Sequence, residues 1–113
     1  MNTPQAEYLS ISATKCRDES GRIVLKAKVH GGGYIYASIG LNKGCAILAR
    51  KLVGHHALVT VRVDGVVIGF VARVKLRSRV SVGIAIPRKF RRMFRKGEVI
   101  EVRLRPINNG DGP

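Results

Sequence analysis

The chain has 113 residues, enough for one domain with a hydrophobic core and too few for a second. Apolar residues make up 45% of it, which excludes global disorder, while 21 Lys and Arg against 7 Asp and Glu give a net charge of +14. Such an excess repels itself in the folded state and points to a polyanionic partner; with no apolar run long enough to span a bilayer and no secretory leader pattern, the expected setting is cytoplasmic, associated with the nucleoid or a ribonucleoprotein and not with a membrane.

In chain order, residues 1–7 are expected to fray. Residues 8–15 read as an extra N-terminal strand that pairs with residues 22–30 across the 16–21 turn. Residues 34–40 are a second strand of the main body, residues 43–52 a helix closed by Gly54, and residues 56–63 a further strand. Asp64-Gly65 between two apolar runs predicts a tight hairpin. Residues 68–75 and 79–86 read as strands, and Pro87 opens a short helix in which Phe90, Met93 and Phe94 form one buried stripe at i, i+3 and i+4. Lys96-Gly97 ends that helix. Residues 98–105 return to period two, with Ile100, Val102 and Leu104 on one face and Glu101, Arg103 and Arg105 on the other, before a tail, residues 108–113, expected to be disordered.

The two halves repeat one another over residues 22–63 and 66–105, at an offset of 45 that drops to 43 near the end. Ile23 through Val29 falls on Ile68 through Val74. Ile35, Ile39 and Leu41 fall on Val80, Ile84 and Ile86, and Arg50-Lys51 on Arg95-Lys96. At the shorter offset Ala57, Val59 and Val61 fall on Ile100, Val102 and Leu104. Each copy reads strand, strand, helix, strand, and neither buries both faces of three short strands alone. The expected fold is therefore a single mainly β domain with two short helices, in which two fused copies pack about a pseudo-twofold axis and close a small barrel.

The stretch Arg79-Val80-Ser81-Val82-Gly83-Ile84-Ala85-Ile86-Pro87-Arg88-Lys89-Phe90-Arg91-Arg92-Met93-Phe94, followed by Lys96-Gly97-Glu98-Val99-Ile100-Glu101-Val102, resembles the AbrB/SpoVT swapped-hairpin DNA-binding family. That pattern runs Arg-Val-x-Ile-Pro, a short Arg-containing helix, then Gly-Asp and a strand, and residues 77–104 carry most of the match. Here Gly83 and Ile84 are additional, Glu98 stands in place of Asp, and the first copy has Leu41-Asn42 for Ile-Pro. Because one chain carries both copies, the resemblance implies a fused, cradle-loop barrel, either monomeric or a homodimer. It also implies that arginines near the strand-to-helix loops contact DNA, with Arg77, Arg79 and Arg88 the closest counterparts.

The residues themselves point the same way. Residues 73–96 hold ten cations and no acid: Arg73, Lys75, Arg77, Arg79, Arg88, Lys89, Arg91, Arg92, Arg95 and Lys96. If the strand is continuous, Arg73, Lys75, Arg77 and Arg79 project from one face about 6 to 7 Å apart, a spacing that tracks successive phosphates. The alternative is an edge strand protected by its charge. Gly31-Gly32-Gly33 reads first as a tight hairpin and second as a cradle for phosphate. Tyr34 and Tyr36 alternate on one strand face and are expected to pack rather than to stack on bases. Cys16 and Cys45 lack zinc-site spacing and are expected to be reduced; adjacent His55 and His56 point to opposite faces of a strand, so no metal or cofactor is expected. No nucleophile, P-loop or paired-carboxylate motif is present, and a non-enzymatic nucleic-acid-binding protein is the expectation. Duplex DNA, bound by a transcription regulator or chromatin-associated factor, is the favoured partner. Structured RNA, in a ribosomal-type component, is the alternative.

Overall fold

The computed structural model describes residues 16–31 and 33–107; the expected N-terminal strand at 8–15 and the tail at 108–113 lie outside the described residues. The elements are β1 (Ile23–His30), β2 (Tyr34–Ser38), α1 (Ile39–Asn42), α2 (Cys45–Arg50), β3 (His56–Val63), β4 (Val66–Arg73), β5 (Lys75–Ser78), β6 (Ser81–Ala85), a 3-10 helix (Arg88–Met93) and β7 (Val99–Pro106). All strand pairs are antiparallel, in one sheet of order β4-β3-β7-β1-β2-β6-β5. The mainly β expectation holds, with short helices as accessories.

Period-two patterning decides which face is buried. Ile23, Leu25, Ala27 and Val29 of β1 point to the core, as do Ala57, Val59, Val61 and Val63 of β3 and Ile100, Val102 and Leu104 of β7. Each fully buried Val, Leu or Ile contributes roughly 1.5–3 kcal/mol. The sheet curls around this cluster, and Phe94 closes it, with Phe90 and Met93 packed alongside as the i, i+3, i+4 stripe requires. The 3-10 helix is tighter than the α-helix expected there, with Pro87 as its N-cap.

The β1–β7 and β4–β3 ladders are related by the repeat offsets. Moving Ile23 forward by 45 and Leu104 back by 43 turns the pair Ile23↔Leu104 into Val61↔Ile68, which is also a pair. The next hairpin departs from the expected alignment. Lys28↔Tyr36 and Val29↔Ile35 map onto Lys75↔Gly83 and Leu76↔Val82, an offset of 47. Buried Ile35 therefore corresponds to buried Val82, and not to Val80, which is 51% exposed in the β5–β6 turn. From the helix onward the offset is 43, so Cys45–Arg50 matches Arg88–Met93 and Gly54 matches Gly97, both glycines at positive φ (89° and 88°). The difference between 47 and 43 equals the four residues of α1.

Asp64 and Gly65 both adopt positive φ (51° and 79°), the conformation of a two-residue hairpin turn between β3 and β4. The strand expected over residues 68–75 ends at Arg73, so the continuation that would align Arg73, Lys75, Arg77 and Arg79 is interrupted. Val74 is fully buried, its N–H donating to the His55 carbonyl (2.9 Å) and its own carbonyl accepting from Gly54 (2.8 Å). This bend carries the chain from β4 at one edge of the sheet to β5 at the other.

Two further features tie together the elements of the first half of the chain. Cys16 and Cys45 form a disulfide, correcting the expectation of reduced thiols; it ties the turn before β1 to the start of α2. Arg17 forms a bridge with Ile23, and the Cys16 carbonyl accepts from Val24, so two residues expected to belong to the 16–21 turn pair with the start of β1. Asn42, 9% exposed, grips β1 through its side chain: Oδ1 accepts from Lys26 N–H (2.5 Å), and Nδ2 donates to the carbonyls of Lys26 (2.9 Å) and Ser38 (2.8 Å).

Candidate functional site

All ten cations between Arg73 and Lys96 are exposed, and none of them takes part in an ion pair among the described residues. The ion pairs lie elsewhere. Asp18 holds Arg22 (2.8 Å) and Arg103 (3.0 Å), and Glu101 holds Arg103 (2.8 Å), on the outer side of β1 and β7. Burial alone would raise the Asp18 pKa; hydrogen bonds from Ser20 and Arg22 outweigh it and hold the carboxyl far below the usual carboxylate range. Glu101 hydrogen bonding leads the causes that raise the Arg103 pKa, with Asp18 adding to it. The acids on that side are thus spent on Arg22 and Arg103, leaving the 73–96 cations uncompensated.

These ten do not form a single row. The bend at Val74 separates Arg73 from Lys75, and a bulge between Leu76 and Ser78 places Arg77 out of the ladder, so the expected alternation through Arg79 is not maintained. Arg79 lies in the turn before β6, at the opposite end of that strand from the 3-10 helix. Arg88, Lys89, Arg91 and Arg92 belong to that helix, with Arg95 and Lys96 just beyond it. Lys89 lies over the Phe90 ring (5.1 Å), and Arg91 donates through Nε to the Ile86 carbonyl (3.0 Å).

Residues directly opposite in an antiparallel ladder share a face. Lys28, Tyr36, Gly83 and Lys75 therefore form one row across the outer surface, and His30, Tyr34 and Ala85 form the next. Tyr36 lies flat over Gly83, where an added Cβ would come within 2.8 Å of the ring. The Arg77 guanidinium covers the Tyr36 ring at 3.9 Å, His30 meets it edge-on at 4.5 Å, and Tyr34 runs parallel to it at 6.0 Å. Both tyrosines pack, as expected, but on the outer face and half-exposed rather than in the core.

Next to this row is a recess of about 290 Å³ between the turn after β1 and the segment following the 3-10 helix, with His30, Arg91 and Lys96 around apolar Val29, Ile86 and Phe94. Gly33, at φ +84°, forms the tight turn that the glycine run suggested, and a Cβ there would fall 2.4 Å from Arg91 Nε. Burial, then Arg77, Lys28 and Lys96, lower the His30 pKa below its ordinary value, so its ring is neutral at neutral pH. Sequence spacing alone does not single out His30. Only the β1–β2 and β2–β6 registers reveal that it, Lys28, Tyr36 and Arg77 are neighbours. No protein-family model matches the chain, and no curated protein or solved structure matches it.

Proposed function

We propose that this protein binds nucleic acid through the cations of β5, the β5–β6 turn and the 3-10 helix. The observation that carries this reading is the set of ten exposed residues from Arg73 to Lys96, none ion-paired among the described residues, while Asp18 and Glu101 are committed elsewhere. Lys and Arg left without counterions are the electrostatic footprint of a phosphate-binding surface. Arg77, Arg79, Arg88 and Arg92 make the backbone or groove contacts, and the role is that of an AbrB-like transcription regulator or chromatin-associated factor on duplex DNA. Intracellular placement with a disulfide has a precedent in the disulfide-rich intracellular proteins of hyperthermophiles.

The finer architecture belongs to the same reading: two fused copies about a pseudo-twofold axis, as in cradle-loop barrels. The matching β1–β7 and β4–β3 registers, and Gly54 and Gly97 at equivalent turns, support it.

The test is a titration of labelled duplex DNA and structured RNA at several salt concentrations, using the wild type and an Arg77→Ala/Arg79→Ala/Arg88→Ala/Arg92→Ala variant. Each lost phosphate contact lowers the salt slope on duplex DNA by about 0.9. Tighter DNA binding with a slope reduced in the variant supports the proposal; preference for RNA transfers the role to a ribonucleoprotein. Binding of neither at low salt overturns it.

A further inference from the structure

We propose that the recess beside the Gly31 and Gly33 turn receives the phosphate of an unpaired nucleotide whose base lies on the adjoining Tyr34 ring, so that this face takes an unpaired strand while Arg77, Arg79, Arg88 and Arg92 hold duplex DNA. The inference rests on the nucleic-acid reading above and goes beyond it in naming the strand state and the residues that select it.

The recess is lined by three nitrogen-bearing side chains and no carboxylate. Arg91 reaches it from the 3-10 helix; its Nε is held by the Ile86 carbonyl, and its two terminal nitrogens have no partner among the described residues. Lys96 comes from the other side, lying along Gly31 with Cδ and Cε 3.7 Å from where a Cβ would stand. Gly33 thus makes room for Arg91, which a side chain there would displace, while Lys96 lies in ordinary contact along Gly31. An anion in this recess meets the anchored Arg91 guanidinium and the Lys96 ammonium beside apolar Val29, Ile86 and Phe94, where charge-assisted hydrogen bonds are strong.

His30 joins the recess to the aromatic row. It lines the cavity and meets Tyr36 at 4.5 Å. The charged groups that face it are Arg77 from β5, Lys28 from β1 and Lys96 from beyond the 3-10 helix, all positive, and they hold its pKa down after burial has begun the shift. Bound phosphate opposes all three and so raises it. Tyr34 and Tyr36 lie side by side on the outer sheet face, with Arg77 already stacked on one of them. A paired base has both faces occupied by its neighbours in the duplex, whereas an unpaired base can lie on a tyrosine ring while its phosphate reaches the cations nearby.

The experiment compares fluorescence anisotropy titrations of a short oligothymidylate strand and of a duplex of the same length, with the wild type and Tyr34→Ala, Tyr34→Phe and Lys96→Ala variants. It is joined by an NMR titration of the His30 imidazole with and without the single strand. Expected are a loss of about fivefold or more in single-strand binding for Tyr34→Ala, as one lost base stack implies, with duplex binding unchanged in that variant, and wild-type binding of both in Tyr34→Phe. The His30 pKa should rise on addition of the strand, and the rise should shrink in Lys96→Ala. Single-strand binding that is unchanged in Tyr34→Ala, or lost equally for strand and duplex, overturns this inference and leaves the nucleic-acid reading standing. Absence of salt-sensitive binding to either ligand overturns both.

Discussion

Replacing Asn42 with Ala tests the physical account of how the first half of the chain is held together. The side chain satisfies both main-chain groups of Lys26 on β1 and the carbonyl of Ser38 at the start of α1, while 9% exposed. A net hydrogen bond contributes about 1 kcal/mol, and a buried group left without a partner costs about 1–3 kcal/mol. Water can reach part of the vacated space, so the three losses together should amount to about 2–4 kcal/mol, a large part of the roughly 5–15 kcal/mol by which a domain is stable. Equilibrium urea unfolding followed by circular dichroism measures it, with Leu41→Ala, at a 39% exposed neighbour, as the control for general damage to α1. Asn42→Asp sharpens the test. Its carboxylate still accepts from Lys26 N–H but faces the Lys26 and Ser38 carbonyls without a donor, so this variant should recover stability relative to wild type as acid protonates it. A change in unfolding free energy for Asn42→Ala within about 0.5 kcal/mol of wild type, the range of an ordinary surface substitution, would refute the reasoning.

Three further outcomes are expected. Serine at both Cys16 and Cys45 removes a cross-link spanning a sequence separation of 29, which by loop entropy lowers stability by about 3.6 kcal/mol, read from denaturant midpoints with and without reductant. Gly33→Ala forces a φ of +84° on a residue with a Cβ and pushes Arg91 off the Ile86 carbonyl; a loss of about 1–2 kcal/mol in thermal or chemical unfolding is expected, and wild-type stability would contradict the close approach. Asp18 has its folded pKa depressed, so its contribution is complete above the ordinary carboxylate value and is lost as pH falls toward the folded one. Asp18→Asn should therefore flatten the decline of stability with acid below about pH 4 while lowering stability at neutral pH, and an unchanged acid profile would remove Asp18 from the account.

The strands, the core and the charge were legible because their causes are local. Alternation at period two in β1, β3 and β7 fixes which residues face inward whatever the strands pair with, and Asp64-Gly65 admits the positive φ that a tight hairpin needs. The ten cations of residues 73–96 are exposed because burying unpaired charge is too costly in any fold. Neighbour relations were not legible, because register and bends depend on contacts distant in sequence. Gapless alignment put Ile35 on Val80, which is exposed, whereas the residue at the same place in the β5–β6 register is buried Val82, and that register is set by contacts distant in sequence. Nothing in the spacing of Cys16 and Cys45 announced a disulfide; the bridge from Arg17 to Ile23 and the placement of α2 bring them together. Likewise, His30, Tyr36, Gly83 and Arg77 become one surface only when β1, β2, β6 and β5 lie side by side, a consequence of burying their opposite faces in a common core.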